Sequence, residues 1–201
     1  ASNFVGQDML ANDASPTEKT EDRPAVQFLN DVVPLLTRLH CNSGGCHGKA
    51  TGQNGFKLSL LGFEPHLDHY ALVREARGRR LSTVDPMGSL LLKKATGVVP
   101  HGGGRRLDVD SADYWLLHDW IASGAAGPRP NDLQLVSLEV VPKRGDLKPA
   151  AQQRLRVIAH FSNGSNRDVT PYAVYQSNAS EIAEVNKHGV ITTQKRVGLF
   201  A

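Results

Sequence analysis

The sequence predicts a multidomain α + all-β chain, in which a helical domain precedes a small β domain. Between residues 24 and 127, apolar residues recur every three or four positions, as in helices packed against a core. Beyond residue 133, apolar and polar residues alternate, as in half-buried strands. Pro128 and Pro130 separate the two patterns, so we predict a linker over residues 128–132.

The composition is that of a globular protein. Of the 201 residues, 40% are hydrophobic and 21% are charged, which provides enough apolar material for a core. No run approaches the ~20 apolar residues of a membrane-spanning helix, so we expect no membrane span in this chain. The net charge of +3 is modest and gives no reason to expect nucleic acid as a partner. Residues 1–23 are polar without periodicity and are predicted to form a flexible leader.

The first helix is predicted to begin at Pro24, because proline suits the first turn of a helix. Apolar residues then recur at three- and four-residue steps as far as Leu39. Pro34 interrupts this pattern, and we expect it to kink the helix just ahead of the loop that contains both cysteines.

Two further helices are predicted in this domain. One follows Asp85, an N-cap residue succeeded by a proline, and ends before Gly97. The clearest runs from Ser111 to about Ser123, and Gly124 ends it. The β domain is predicted to hold strands near residues 136–140, 155–161 and 190–193, with turns at 163–164 and 188–189.

The segment from Cys41 to His47 contains both cysteines of the chain and ends in Cys-His. Haem attached through its vinyl groups needs two thiols and an adjacent imidazole for the iron, and the usual spacing is Cys-x-x-Cys-His. Here four residues separate the thiols, and Gly44 and Gly45 are expected to let the extra residues loop out. We therefore predict one covalent haem c on Cys41 and Cys46, with His47 as proximal ligand.

Two other interpretations of the cysteines remain open. A Cys41–Cys46 disulfide would suit a secreted chain, which would then be a non-redox adhesive or wall-associated protein. A zinc site is less favoured, because the side chains of Cys46 and His47 diverge and no second cysteine pair exists.

Two residues compete to be the sixth ligand of the iron. His101 precedes three glycines in a loop ahead of the last predicted helix, and such a loop can pass close to a porphyrin face. Met87 is the only methionine after the cysteine motif, but it is expected in a first helical turn, where the helix sets its direction. We predict bis-histidine ligation by His47 and His101, with Met87 as runner-up.

Arginines cluster between residues 74 and 80 and at 105–106. They either form a solvated surface or pair with haem propionates, because a guanidinium matches a carboxylate with two hydrogen bonds. We assign the propionate role to Arg79 and Arg80. His66 and His69 are interpreted as solvated side chains rather than metal ligands.

Residues 24–127 resemble a class I cytochrome c, and more narrowly the cytochrome c domain found in large exported planctomycete proteins. Residues 133–201 resemble a bacterial immunoglobulin-like domain, the module that follows this cytochrome in such proteins. The resemblance implies a class I-like helical cytochrome c domain, a small Ig-like β-sandwich and a haem-bound iron. The segments that carry it are residues 33–35, 41–48, 54–60, 74–80, 99–104 and 116–125.

The Ig-like domain is expected to be incomplete at its C-terminus. Residues 133–201 number roughly seventy, whereas such a sandwich usually has about 100. A missing closing strand would leave unpaired backbone groups beside the strand at residues 190–193.

The expected function is electron transfer by an extracytoplasmic monohaem module, in the periplasm or at the cell surface, within a larger exported protein. Such a module needs two axial ligands and no catalytic residue. The alternative is a haem enzyme or sensor whose displaceable sixth ligand gives access to peroxide or a small gas. The redox partner is not identified by the sequence, and downstream domains of the same polypeptide are candidates.

Overall fold

The computed structural model describes residues 25–201, and the predicted leader and helix start at Pro24 lie outside them. Within these residues, a helical region is followed by two small antiparallel sheets that do not close. The predicted order of helical and β regions is therefore confirmed. Over the same span, no helix combines the length and hydrophobicity that crossing a bilayer requires.

The helical region has four α-helices among the described residues. A π-helical turn over Phe28–Val32 leads directly into the first of them, and Pro34 stands at its start. The predicted disturbance at this proline is therefore a change of helix type. The α-helices are α1 (Val33–Arg38), α2 (Pro65–Val73), α3 (Leu90–Ala95) and α4 (Ala112–Ala122).

The helix predicted after Asp85 is divided in two. A 3₁₀ turn over Pro86–Gly88 comes first, with the Asp85 carboxylate accepting from the Gly88 amide at 3.0 Å. Ser89 is not helical, so α3 begins only at Leu90. The prediction for α4 is confirmed: the Ser111 hydroxyl accepts from the Tyr114 amide at 3.2 Å, and the helix ends before Gly124.

Helix α2 has no counterpart among the predicted elements. It buries Asp68, Ala71 and Leu72, while Leu67 and Tyr70 are exposed. The interpretation of His69 as a solvated side chain is wrong, because its ring packs against core aromatics and its Nε2 donates to the Ala125 carbonyl at 2.8 Å. The core that α2 joins includes Phe28, Val32, Leu35, Leu58, Leu92, Leu117, Trp120 and Ile121.

The β region forms two three-stranded sheets. The strands are β1 (Leu135–Val141), β2 (Gln152–Arg154), β3 (Arg156–Phe161), β4 (Asn166–Asp168), β5 (Ala183–Val185) and β6 (Val190–Thr193). In the first sheet the strand order is β1-β3-β4, and in the second it is β2-β6-β5, with all pairs antiparallel. Gly164 and Gly189 take φ of 80° and 70° at the predicted turns.

The open edge lies elsewhere than predicted. Strand β6 pairs on both sides, so residues 190–193 form the centre of their sheet. Within residues 25–201, strand β1 pairs only with β3, and its Leu138 lies opposite Ala159 on the same face. Ala159 is 2% exposed, whereas Leu138 is 57% exposed. The face that β3 buries is therefore uncovered at β1.

The β region contacts the turn that leads into α1. Arg167 on β4 donates to the Asp31 carboxylate and to the Asn30 carbonyl, both at 2.6 Å. Asn30 in turn donates to the Leu133 carbonyl at 2.8 Å. These bonds join the two regions close to the helix that carries the cysteine-containing loop.

Candidate functional site

The loop that contains the cysteines is closed by its own backbone. The Cys46 amide donates to the Ser43 carbonyl, and the His47 amide donates to the Cys41 carbonyl, each at 3.0 Å. A Cβ at Gly48 would lie 2.1 Å from the Asn42 carbonyl oxygen, so this position requires glycine. Both thiols and the His47 side chain line the same cavity.

The predicted role of Gly44 and Gly45 is wrong. Neither has a positive φ, and a Cβ would meet one leucine methyl at 3.9 Å beside Gly44 and nothing within 4 Å at Gly45. The close approach within the loop occurs instead at Gly48, where an added Cβ would clash with the Asn42 carbonyl. The Gly48 amide donates to the Ser43 carbonyl, which holds the backbone in this position. The loop therefore accommodates four residues between the thiols without relying on these two glycines.

The cavity has a volume of about 400 Å³ and lies between the cysteine loop, α2, α3 and the loop at residues 100–103. Four of the predicted site residues, Cys41, Cys46, His47 and His101, lie in its wall. Arg79 and Arg80, the two arginines predicted to pair with propionates, also line the cavity. Its apolar wall consists of Leu36, Phe56, Leu58, Leu72, Leu90, Leu91 and Ala95.

His47 is fixed by a backbone carbonyl. Its Nδ1 lies 3.0 Å from the Phe56 carbonyl oxygen, which can only accept, so Nδ1 carries the proton. Burial lowers the pKa of His47, with His101 and Arg80 acting in the same direction, although the bond to Phe56 opposes them. The neutral ring therefore presents Nε2, which has no hydrogen bond within residues 25–201, as an available ligand atom.

His101 is fixed in the same manner. Its Nδ1 lies 2.9 Å from the Gly104 carbonyl, and the Gly104 amide returns a 2.9 Å bond to the His101 carbonyl. Gly104 takes a φ of 72°, which this tight turn requires. The Nε2 of His101 likewise has no hydrogen bond in the described part of the chain.

The rings of His47 and His101 lie close together and are nearly parallel. Their centroids lie 6.3 Å apart and their planes differ by 9°. Two metal–nitrogen bonds of about 2 Å each, plus the distance from nitrogen to ring centre, would also place the centroids of two imidazoles on one metal ion about 6 Å apart. Two thiols, two imidazoles and an apolar wall are together the groups that would hold a covalently attached haem.

Met87 is placed less favourably. It lies in the 3₁₀ turn Pro86–Gly88, is 53% exposed and is absent from the wall of the cavity. The Asp85 carboxylate caps this turn and holds it in place. The structure therefore brings His101, and not Met87, next to His47.

The predicted arginines differ from each other. Arg79 is exposed at the cavity and forms no ion pair within residues 25–201. Arg80 is only 5% exposed, and its guanidinium donates to the carbonyls of Ala71 and Gly55 at 2.7 and 2.8 Å. Lys94 and Arg106 also line the cavity, so its cationic groups come from three separate segments. The sequence does not indicate that Lys94 belongs to this group.

The environment of Cys41 keeps its thiol protonated. Burial and the neighbouring Cys46 raise the pKa of Cys41 to about 11, although Arg106 opposes this. Both cysteines are free thiols. Zinc would need about four protein ligands, and no cluster of three or more His, Cys, Asp and Glu side chains suited to a metal ion occurs in residues 25–201.

Comparison with known proteins adds no assignment. No protein-family model matches the chain, and no curated protein matches it. The chemistry of the cavity is therefore the basis for a function: two thiols, two imidazoles with free Nε2 atoms, apolar walls and a cationic margin.

Proposed function

We propose that the chain is a monohaem c-type cytochrome module that transfers electrons outside the cytoplasm, as part of a larger exported protein. The observation that carries this proposal is the pair of nearly parallel imidazoles of His47 and His101, with centroids 6.3 Å apart, in a cavity whose wall also contains both cysteines. The proposal includes the finer fold assignment, a class I-like cytochrome c domain followed by an Ig-like β-sandwich.

Cys41 and Cys46 would hold the cofactor through two thioethers. Each S–H adds across one vinyl double bond, so that sulfur binds one carbon and the hydrogen goes to the other. No atom is lost and no oxidant is needed. A disulfide between the same residues would instead require the removal of two hydrogens, and this difference in mass separates the two interpretations.

The remaining residues would bind the haem and shield it. Bound haem supplies an iron that accepts and releases one electron. His47 and His101 would bind the iron, and the leucines of the wall would exclude water, which is one of the protein's means of setting the potential. Arg79, Lys94 and Arg106 provide cations for the propionates. Because His/Met ligation raises the potential of a haem, we expect two histidines to give a lower one.

Mass spectrometry under denaturing conditions tests the proposal. The chain, produced with a cytochrome c maturation system and exported, is expected to retain the mass of one haem. The pyridine haemochrome spectrum should show two saturated vinyl groups. Cys41→Ser and Cys46→Ser are the matched controls, and each should leave a single thioether. A wild-type mass equal to the polypeptide less two hydrogens would exclude the proposal and indicate the disulfide.

One observation, the local anchoring of His101, favours a second function, that of a haem enzyme or sensor. Its hydrogen bond goes to Gly104 within its own loop, and a Cβ at Gly102 would touch nothing within 4 Å. This loop could move away and open the sixth position to peroxide or a small gas. Titration of the reduced protein with carbon monoxide distinguishes the functions, because an electron-transfer module should not bind it, whereas an enzyme or sensor should.

A further inference from the structure

We infer that Arg80 is a positioning residue for His47: it holds the Gly55–Phe56 segment, which carries the hydrogen-bond acceptor of the imidazole. The inference rests on the proposed function, because it concerns the residue that would be the proximal ligand. It differs from the predicted pairing of Arg80 with a propionate.

The guanidinium of Arg80 joins two separate parts of the cavity wall. One nitrogen, Nη1, donates to the Ala71 carbonyl in α2, and Nη2 donates to the Gly55 carbonyl in the loop after the cysteines. Glu75 lies 3.7 Å away and balances part of the charge. Because a planar guanidinium carries its donors in a fixed fork, it holds both carbonyls at a set distance.

Phe56 connects this clamp to the histidine. The guanidinium carbon of Arg80 lies 4.4 Å from the centre of the Phe56 ring, and that ring lies 4.5 Å from the centre of the His47 ring. The carbonyl of the same phenylalanine accepts the His47 Nδ1 bond. A shift of the Gly55–Phe56 segment would therefore change both the packing and the hydrogen bond of the imidazole.

The backbone ahead of Arg80 takes an unusual left-handed course over three consecutive residues. Ala76 and Arg77 have φ of 52° and 62°, followed by Gly78 at 67°. Left-handed backbone is unfavourable for residues with a Cβ, and it persists where the surrounding structure requires it. Behind this turn, the Arg80 carbonyl accepts from the Leu91 amide at 3.0 Å, which ties the residue to α3 as well.

The first test compares Arg80→Lys with Arg74→Lys in the full chain by amide hydrogen exchange. Arg74 is exposed and lies outside the cavity wall, so it is the matched control. Both variants keep the charge, but a lysine cannot bridge two carbonyls with a planar fork. In Arg80→Lys, the amides of Phe56 and Leu58 are expected to exchange at least tenfold faster, since Leu58 donates to the His47 carbonyl. The amide of Leu117 in α4 should be unchanged, which excludes general destabilisation, and Arg74→Lys should match the wild type.

The second test is the midpoint potential of the haem-loaded variants. A weakened Nδ1 hydrogen bond makes the imidazole a poorer donor to ferric iron. Arg80→Lys is therefore expected to shift the ferric–ferrous equilibrium severalfold toward ferrous, and Arg74→Lys to leave it unchanged. Phe56→Leu keeps the carbonyl but removes the ring, and it should shift the ferric–ferrous equilibrium in the same direction. If Arg80→Lys does not fold, the Phe56→Leu variant provides the test.

The outcomes separate this inference from the proposed function. Wild-type exchange rates and potential in the Arg80→Lys and Phe56→Leu variants would overturn the inference while the haem remains. Faster exchange with an unchanged potential would also overturn it, because the clamp would then not position the ligand. A wild-type chain without haem would overturn the proposed function alone, and the exchange comparison would still decide whether Arg80 holds the segment.

Discussion

His47 and His101 are held by the same kind of bond, but their surroundings differ. The Nδ1 atom of each donates to a backbone carbonyl, which leaves Nε2 for a ligand. The acceptor of His47 belongs to Phe56, whose ring is packed beneath Arg80. The acceptor of His101 belongs to Gly104, three residues away in the same turn. His47 is therefore the firmly positioned member of the pair.

The sixth ligand can be tested with two substitutions. His101→Ala is expected to make the ferric haem high-spin and to open the iron to carbon monoxide, because no other described imidazole lines the cavity beside His47. Met87→Ala should leave the spectrum nearly unchanged, because Met87 is 53% exposed and absent from the cavity wall. Absorption spectroscopy measures both effects. A spectral change confined to the methionine variant, or a near-infrared sulfur-to-iron band in the wild type, would contradict this assignment.

The raised pKa of Cys41 predicts slow alkylation in the folded, haem-free chain. The thiolate is the reactive form, and with a pKa of about 11 the thiol of Cys41 is almost entirely protonated at neutral pH. The rate with iodoacetamide, followed by peptide mass mapping, should rise about tenfold per pH unit between pH 7 and pH 9. The control is the chain unfolded in urea, in which Cys41 should be alkylated at the rate of an ordinary exposed thiol. Fast alkylation of folded Cys41 at pH 7 would show that the thiol is not shielded.

Part of the site could be predicted because its pattern is local. Cys41, Cys46 and His47 lie within one segment of seven residues, and His101 is distinguished by the glycines that follow it. The acceptor role of the Phe56 carbonyl could not be predicted, because any residue has a carbonyl. The direction of Arg80 depends on contacts with Gly55 and Ala71, which only the tertiary fold brings together.

At the scale of the elements, the helices show where a sequence pattern is sufficient. Helix α4 has an N-cap serine, a buried stripe and a terminal glycine, so its limits were predictable. Helix α2 buries Asp68 and exposes Leu67, so apolar residues do not mark its inner face. The buried carboxylate accepts from the Ser59 amide and hydroxyl, and this partnership is invisible in the sequence. Strands β1 and β3 were predictable because their apolar and polar residues alternate.

The sheet order predicts a contrast in hydrogen exchange between β6 and β1. Strand β6 is paired on both sides, so its amides should exchange slowly. The β1 amides that face away from β3 have no partner strand in the part of the chain that the structure describes, and they should exchange at least tenfold faster in a dilute monomer. Exchange measured by NMR tests this, and a rise in β1 protection with concentration would show that copies pair along this edge. Uniformly slow exchange in β1 of the dilute monomer would contradict the open edge.

At the scale of the whole molecule, the β region should support the helical region through Arg167. Arg167→Met removes the bonds to Asp31 and Asn30 and should lower the free energy of unfolding of the helical region by about 1 kcal/mol. Tryptophan fluorescence during urea unfolding measures this selectively, because both tryptophans, Trp115 and Trp120, lie in α4.

Arg154→Met provides the control for this measurement. Arg154 is also an exposed arginine on a strand, and its side chain forms no ion pair among residues 25–201. This variant should leave the fluorescence transition at its wild-type urea concentration. If Arg167→Met behaved in the same way, the contacts between the two regions would contribute nothing to the stability of the helical region.

The position of Cys41 determines an order of events in the biogenesis of a haem-loaded protein. Cys41 lies three residues after the end of α1 and packs against the hydrophobic core, and its thiol is kept protonated. Once the core has closed, this sulfur reacts slowly as a nucleophile, because the thiolate is the reactive form. Under the proposed function, attachment therefore has to take place while the newly exported chain is still open. A chain that folds first would be trapped in a haem-free state, and only unfolding would return it to the productive route.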